Sequence, residues 1–425
     1  MRNYLRSLNP QLPRSVQILQ LGGLLNAIGN GLILPFTLIY LHNERGIPLG
    51  TAGLVLGTNA AVSLIAGPIA GALVDRVGAK RMLAIALVFL TFGIAGYSLV
   101  ETAWQGFLVA AIVGIGNGAF WPSQSSMLAG LAPQEKRPAV FAMQRVTMNL
   151  GIGIGGLAGG FIASESFQAL FLLDALTFVG YAAVLWAFVP EPRQAVERAG
   201  RSGSYRDVFR HRVFMGLMAV NATLIAAGIA QLEVLPAYAK NEVGIAETGI
   251  GQLFFINTIA VVVLQLPIAR LAQGHRRMTF LALVGVGCAA SWLLVPVSGL
   301  WLSGAAAFAL LAFAVALFGV AECLHGAVQP PLVADLADHR MIGRYMAISA
   351  LSWQVGFTVG PPAGAALLAV SPTGLWIAAA AVCLLAGGGA LLLERGLPEN
   401  VRRTPRVTSA TLAPIPVVDV AVPSD

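Results

Sequence analysis

The sequence predicts an all-α membrane protein of twelve transmembrane helices in two related six-helix bundles. Three observations predict it. The 425-residue chain is 57% hydrophobic and 11% charged, with a mean hydropathy of +0.78, whereas soluble domains carry about 25% charged residues. Apolar stretches of the length needed to span a bilayer, about twenty residues, begin near residues 15, 50, 82, 105, 139, 168, 213, 248, 278, 302, 345 and 374. The chain also repeats itself near half its length. Asn43, Glu44, Gly46, Ile47, Gly53 and Asn59 recur as Asn241, Glu242, Gly244, Ile245, Gly251 and Asn257 at an offset of 198. Gly151, Gly155 and Gly159 recur as Gly356, Gly360 and Gly364 at 205.

Charge fixes the expected orientation. The net charge is +7, which by itself could suggest nucleic acid, but the arginines and lysines cluster in every second loop. Of 26 basic residues, 23 fall on the side that holds both termini, and only Arg45, Lys240 and the intrahelical Arg145 do not. Such a bias is the positive-inside pattern, so both termini are expected in the cytoplasm, with the protein in the cell inner (plasma) membrane. The first span, Val16 to Leu41, follows a basic stretch. It is too long for a signal peptide and lacks a small-x-small cleavage site, so it is retained as the first helix.

Between the second and third spans, residues 71–81 read G-A-L-V-D-R-V-G-A-K-R. Asp75, Arg76, Lys80 and Arg81 cannot lie in hydrocarbon, so this run is a tight turn at a membrane face. Gly71 and Gly78 permit the turn and close helix approach. The second-half counterpart, Ala269 to Arg277, lacks the acid. The fourth span carries Asn117, Trp121 and Gln124. The fifth has Arg145 about two turns in, with Asn149 a turn further on the same face, where the pair could meet a substrate anion or an acidic partner. Snorkelling of Arg145 to the terminal side is the blander and slightly favoured reading. Beyond them, Gly151, Gly155 and Gly159 form a small-residue stripe that lets helices pack closely, as do Gly356, Gly360, Pro361 and Gly364 in the eleventh span. The sixth span holds Asp174, within three turns of the outer face, where water is expected to reach it; Glu233 in the seventh is placed likewise.

The Arg-rich segment of residues 190–211 is a linker between bundles 1–189 and 212–394. Residues 395–425, rich in Pro, Val and Thr, are expected to be an unstructured cytoplasmic tail. In the tenth span Glu322 is the best placed acid, opposite Gly114 in the repeat. A carboxyl deep in hydrocarbon is costly to ionise, which suits it to proton exchange. His325, a turn on, is expected to share or relay that proton. Asp174 and Glu233 are weaker candidates for the same task. Intramembrane amides and aromatics mark the cavity wall: Asn26, Asn30, Asn117, Trp121, Gln124, Asn221, Gln231, Asn257, Gln329, Trp353 and Gln354. Few charges among amides and aromatics suit a bulky, apolar or weakly cationic ligand. Each single amide is alternatively interhelical glue. Cys288, Cys323 and Cys383 are an odd number in apolar segments, expected as reduced buried thiols.

The residue 71–81 run resembles the signature loop of the major facilitator superfamily of secondary transporters, G-x-L-x-D-R-x-G-x-K-R, with every specified position matched. In that family the loop latches the two halves when the cytoplasmic side is closed. The glycine ladders resemble the G-x-x-x-G-P-x-x-G-G motif of its proton-coupled exporters, although the fifth span has Gly156 where that motif has proline and the proline stands in the eleventh as Pro361. Gly319-Val-Ala-Glu322 resembles a bacterial multidrug exporter branch. In many related exporters an arginine in the fourth span binds substrate; Val113 to Gly118 offers none. The resemblance implies a monomeric drug/proton antiporter in contact with lipid, small-molecule substrate and protons, with no cofactor, no metal and no nucleic-acid partner. Carriage of one metabolite or lysolipid, or ligand sensing without transport, are the alternatives. No nucleotide-binding G-x-x-x-x-G-K-[ST] run and no catalytic cluster point to an enzyme.

Overall fold

The computed structural model describes residues 12–133, 136–191, 205–337 and 341–405. Twelve long helices account for most of it. They are α1 (Arg14–Ile33), α2 (Leu49–Val77), α3 (Ala79–Tyr97), α4 (Ala103–Leu131), α5 (Arg137–Ala163) and α6 (Phe167–Phe188), then α7 (Arg212–Ala227), α8 (Glu247–Ala272), α9 (Arg277–Leu300), α10 (Gly304–Leu336), α11 (Ile342–Val370) and α12 (Pro372–Leu393). All but α11 meet length and hydropathy criteria for a membrane span, and α11 is itself 29 residues long. Hydrocarbon offers no partner for backbone N–H and C=O groups, so a chain of this composition must satisfy them within helices.

Both bundles open with a broken helix. α1 continues through Thr37–Ile39 and a π-turn at Tyr40–Glu44, and α7 through a 3-10 turn at Ile229–Glu233 into Leu235–Asn241. Each then turns on a glycine with positive φ, Gly46 at 64° and Gly244 at 76°. Caps fix the other starts. Thr102 and Gln105 form a capping box on α4, and the Ser166 and Ser371 hydroxyls accept from Ala169 N and Gly374 N on α6 and α12.

Packing repeats between the halves. α1 lies against α5 and α6, α3 against α4 and α6, and α2 against α4. In the same way α7 lies against α11 and α12, α9 against α10 and α12, and α8 against α10. The glycine ladders make this possible: Gly151, Gly155 and Gly159 face Ala27, Ile28 and Leu32 of α1, and Gly356, Gly360 and Gly364 face Ile225, Ala226 and Gln231 on α7 and its continuation. Aromatic stacks fill the far ends. Phe171 lies 4.8 Å from Tyr40 and 5.4 Å from Tyr97 between ring centroids, and Trp292 lies 4.9 Å from Phe318 and 5.2 Å from Trp376. Pairs of this kind contribute about 0.5–1.5 kcal/mol beyond area burial. The outward surface stays apolar, with Phe92, Leu385 and Leu392 each more than 70% exposed.

The halves meet through α2 with α11 and α5 with α8. The contacts concentrate at the end remote from the termini. Gly53 and Gly57 sit against Pro361, Pro362 and Ala365, and Gly160 against Thr248 and Gly251. On that face Asn43 and Asn241 exchange hydrogen bonds of 2.7 and 3.4 Å, and Lys240, ion-paired to Glu247, lies 5.7 Å over the Phe167 ring. The far face is therefore closed.

The tight turn expected within residues 71–81 is present, and two other sequence expectations change. α2 continues to Val77, Gly78 alone makes the turn at φ 97°, and α3 begins at Ala79, because helix satisfies the backbone up to the single position that needs a left-handed conformation. Gly71 has no neighbour within 4 Å of where a Cβ would stand, so it does not serve close approach in this conformation. The tail is folded as far as residue 405. A 3-10 turn at Glu399–Val401 leads into a β-bridge between Arg403 and Arg276. The Asp75 side chain, residues 192–204 of the linker and residues 406–425 of the tail lie outside the described residues. Of the linker, residues 205–210 form a short helix, Tyr205–Arg210.

Candidate functional site

Glu322 stands near the middle of the 33-residue α10. Its Oε2 accepts from Asn257 Nδ2 of α8 at 3.1 Å, and the same amide donates to Val315 O at 3.2 Å. The carboxyl is half-buried and looks into the gap between bundles. Facing it is Arg145 of α5. Its guanidinium lies against Gly326, with Nη2 2.5 Å from where a Cβ of Gly326 would be. Arg145 does not snorkel. It is exposed within the gap and reaches across it, where its charge acts on both Glu322 and His325. Glycine at 326 leaves the space for it. Asn149 is half-buried and forms no hydrogen bond to Arg145.

His325 departs from expectation. Its Nε2 is 2.7 Å from Asn221 Oδ1 on α7, and its ring stands edge-on to Trp353 of α11 at 5.3 Å, with 2% exposure. It therefore joins α7, α10 and α11, and it has no hydrogen bond to Glu322 among the described residues. Asn221 also donates to Ser352 Oγ at 2.7 Å, Gln329 to Ser349 Oγ at 3.0 Å, and Gln231 to Ala226 O and Gly360 O at 2.8 and 3.1 Å. All three amides were expected at the cavity wall, and all three are buried as links between helices. Asp174 is also misjudged. It is 0% exposed, packed against Gly29 with Thr177 donating to it at 3.1 Å, so water does not reach it. Glu233 lies half-buried in the 3-10 turn after α7. Trp353 stacks on Phe357 at 6.3 Å, and Gln354 is half-buried on the same helix.

The first bundle supplies the other wall. Asn26, Asn30, Trp121 and Gln124 line a narrow cleft, and Gln20, Gln144, Thr147 and Met148 join them. The cleft holds about 30 Å³, where one water needs about 10–15 Å³ on the same measure. Gln144 donates to Gln124 at 2.9 Å and Gln124 to Tyr181 at 3.1 Å, while Asn26 Nδ2 is buried without a partner among the described residues. Asn117 donates to Asn59 at 3.2 Å. Gln20 and Gln144 went unnoticed because they sit in the terminal-side turns of their helices, where a polar residue looks interfacial.

Two pseudo-symmetric six-helix bundles, closed on one face and with Glu322 and Arg145 brought together at mid-depth, have the architecture of a membrane transporter. The family model of the Major Facilitator Superfamily matches residues 19–238 and 231–420. The chain belongs to that superfamily: it is a membrane transporter and not an enzyme. Among its relatives is the multidrug resistance protein MdtH of Escherichia coli K12, 24% identical over 343 residues, 80% of this chain and 83% of that protein. A Na(+), Li(+), K(+)/H(+) antiporter of Planococcus maritimus is 24% identical over 82% of this chain and 88% of that one. Among solved structures, the inward-open xylose transporter XylE of E. coli superposes with a TM-score of 0.69 at 16% identity, covering 90% of this chain and 95% of that one. An inward-facing bacterial homologue of the human lysosomal transporter Spinster does so with 0.72 at 15%, covering 92% and 98%. The structural likenesses establish the fold alone.

Proposed function

We propose that the chain exports bulky amphiphilic or drug-like small molecules in exchange for protons, with Glu322 as the proton-exchanging group. One observation carries the reading: among the described residues the acid facing the gap at mid-depth of α10 has Asn257 as its one direct partner, with the Arg145 guanidinium of the opposite bundle nearby. A carboxyl in that position is costly to leave charged, and Arg145 approaches it only while the bundles are arranged as here. Under the positive-inside orientation the termini and the open side of the gap are cytoplasmic, in the inner membrane, and the closed face is external. In the proposed cycle Glu322 releases its proton inward and substrate binds between the bundles. The bundles then rock, and a proton from outside displaces the substrate. The names of the MdtH and cation/proton antiporter relatives agree with this reading.

The test is transport by purified protein in liposomes holding a pH dye, driven by gradients of lipophilic cations, for wild type and Glu322→Gln. Substrate-driven proton movement that disappears in the variant is expected. Equal signals remove Glu322 from coupling. The amide-rich wall of Gln20, Asn26, Asn30, Gln124 and Gln144 favours a second reading, a carrier for one uncharged polar metabolite. Uptake of such a compound, with no response to any lipophilic cation, would select it.

A further inference from the structure

The second bundle carries a basic pocket on the terminal face, apart from the gap between the bundles. After α12 the chain makes a turn at Glu394–Gly396 and returns against the connection between α8 and α9. Backbone hydrogen bonds pin it there: Gly274 N to Thr404 O at 2.8 Å, Arg277 N to Arg402 O at 2.9 Å and Thr404 N to His275 O at 3.0 Å. The return closes a pocket of about 390 Å³ between these strands of chain and the last turn of α12. Arg276, Arg395, Arg402 and Arg403 line it together with Glu394 and Glu399, which leaves an excess of two positive charges.

The arginines are not used alike. Arg402 donates through Nε to Leu397 O at 2.9 Å and through Nη2 to Arg395 O at 3.4 Å, so it caps the carbonyls that follow α12. Neutralising the negative end of a helix accounts for that residue. It does not account for the other three. Arg403 contacts Gly274 O through Nη1 alone at 3.3 Å, and Arg276 is 62% exposed and meets Glu394 at 3.6 Å. The Arg395 guanidinium has neither hydrogen bond nor ion pair among the described residues. At the membrane end the pocket is floored by Leu391, 45% exposed, beside Leu392 at 79%. The pocket therefore spans the boundary between the apolar belt and water.

We infer that this pocket binds a phosphate-type anion, held by Arg276, Arg395 and Arg403. Guanidinium forks match phosphate oxygens in pairs, and the apolar floor would accommodate acyl chains if the phosphate is a lipid headgroup. The same chemistry would hold a free phosphate.

Native mass spectrometry of the full-length protein released from micelles separates these sources. The probes are dioleoylphosphatidylglycerol, dioleoylphosphatidylcholine and inorganic phosphate, applied to wild type and to Arg276→Gln combined with Arg395→Gln. Arg395 has no partner to lose and Arg276 only a long ion pair, so the fold is expected to persist, checked by an unchanged Tm in phosphatidylcholine. Should that Tm fall, Arg395→Gln alone replaces the pair. Each guanidinium is expected to contribute about fivefold to retention of phosphatidylglycerol, with phosphatidylcholine unaffected. Displacement by millimolar phosphate, with phosphate raising the Tm of wild type only, assigns the site to the free anion. Resistance to phosphate assigns it to the lipid. Equal retention of phosphatidylglycerol by wild type and variant overturns the inference, as does a wild type that neither prefers phosphatidylglycerol over phosphatidylcholine nor responds to phosphate.

Discussion

Asn257 donates to Glu322 across 3.1 Å, and half a chain earlier Asn117 donates to Asn59 across 3.2 Å at the matching place. The offset of 198 carries Asn59 to Asn257, and the offset of 205 that relates the glycine ladders carries Asn117 to Glu322. The first bundle thus joins these helices by two amides and the second by an amide and an acid. Pairing Glu322 with Gly114 applied the wrong offset to α10. The asymmetry puts the titratable member in one half only, opposite Arg145 of the other.

Restoring the amide symmetry should separate coupling from folding. Glu322→Asn is expected to fold with a Tm near that of wild type and to exchange substrate down its gradient while moving no protons. Counterflow of labelled substrate beside a pH-dye assay checks this. Loss of both activities with a normal Tm would place Glu322 in substrate binding instead.

Arg145 and Gly326 should act as a unit. Arg145→Gln removes the charge, and Gly326→Val occupies the space its guanidinium uses, at little cost in fold because the displaced group ends a flexible side chain. Each is expected to slow counterflow, and the double variant to slow it by less than their product, a coupling of about 0.5–3 kcal/mol. Additive effects would separate the two residues.

The ladder glycines should be intolerant and Gly71 tolerant. A side chain on Gly155 would run into Ile28 O and Gly31 of α1, backbone that cannot give way. Gly155→Val is expected to cost about 1–3 kcal/mol or more in overpacking, seen as a lower Tm in detergent. Gly71→Ala, which meets nothing within 4 Å, should leave the Tm unchanged.

The reciprocal Asn43 and Asn241 bonds mark where the halves close. Asn43→Cys with Asn241→Cys is expected to form a disulfide under mild oxidant, to stop transport while oxidised and to recover it on reduction. Unaltered transport with the bond formed would mean that the far face need not open.

His211, just ahead of α7, has its ring nitrogen 3.0 Å from Tyr345 Oη, and burial holds its pKa below the usual 6.5. The unfolded chain therefore binds the proton more readily. The stability this site contributes is complete above pH 6.5 and is lost as pH falls from there through the depressed folded value. Lowering the pH from 7.5 to 5.5 should reduce the Tm of wild type more than that of His211→Gln. Equal shifts would remove His211 from the acid response.

Much of the architecture was legible because hydrocarbon is an exacting solvent. Each span must be helical and about twenty residues long, so the starts of all twelve helices could be placed from hydropathy, and the duplication followed from matched residues such as Asn43 and Asn241. The ladder glycines were also legible, since close approach leaves few other residue types. Glu322 could be singled out by composition alone, because an acid amid apolar residues is conspicuous.

The amides were not legible in the same way. Asn26 faces the cleft while Asn221, Gln231 and Gln329 tie helices together, yet each is a lone amide amid apolar residues. Periodicity says that two residues share a face of a helix; it does not say which neighbour that face meets. Only packing turned His325 toward Asn221, enclosed Asp174 beside Gly29 and aimed Arg145 at Gly326. The return of residues 398–405 escaped for the same reason: its hydrogen bonds are to residues 274–277, more than a hundred positions away. The sequence by itself determined the spans, the repeat and the inventory of polar groups, since solvent and chain chirality leave no alternative to helix there. Tertiary structure alone decided which of those groups line the gap, because that depends on contacts between segments distant in the chain.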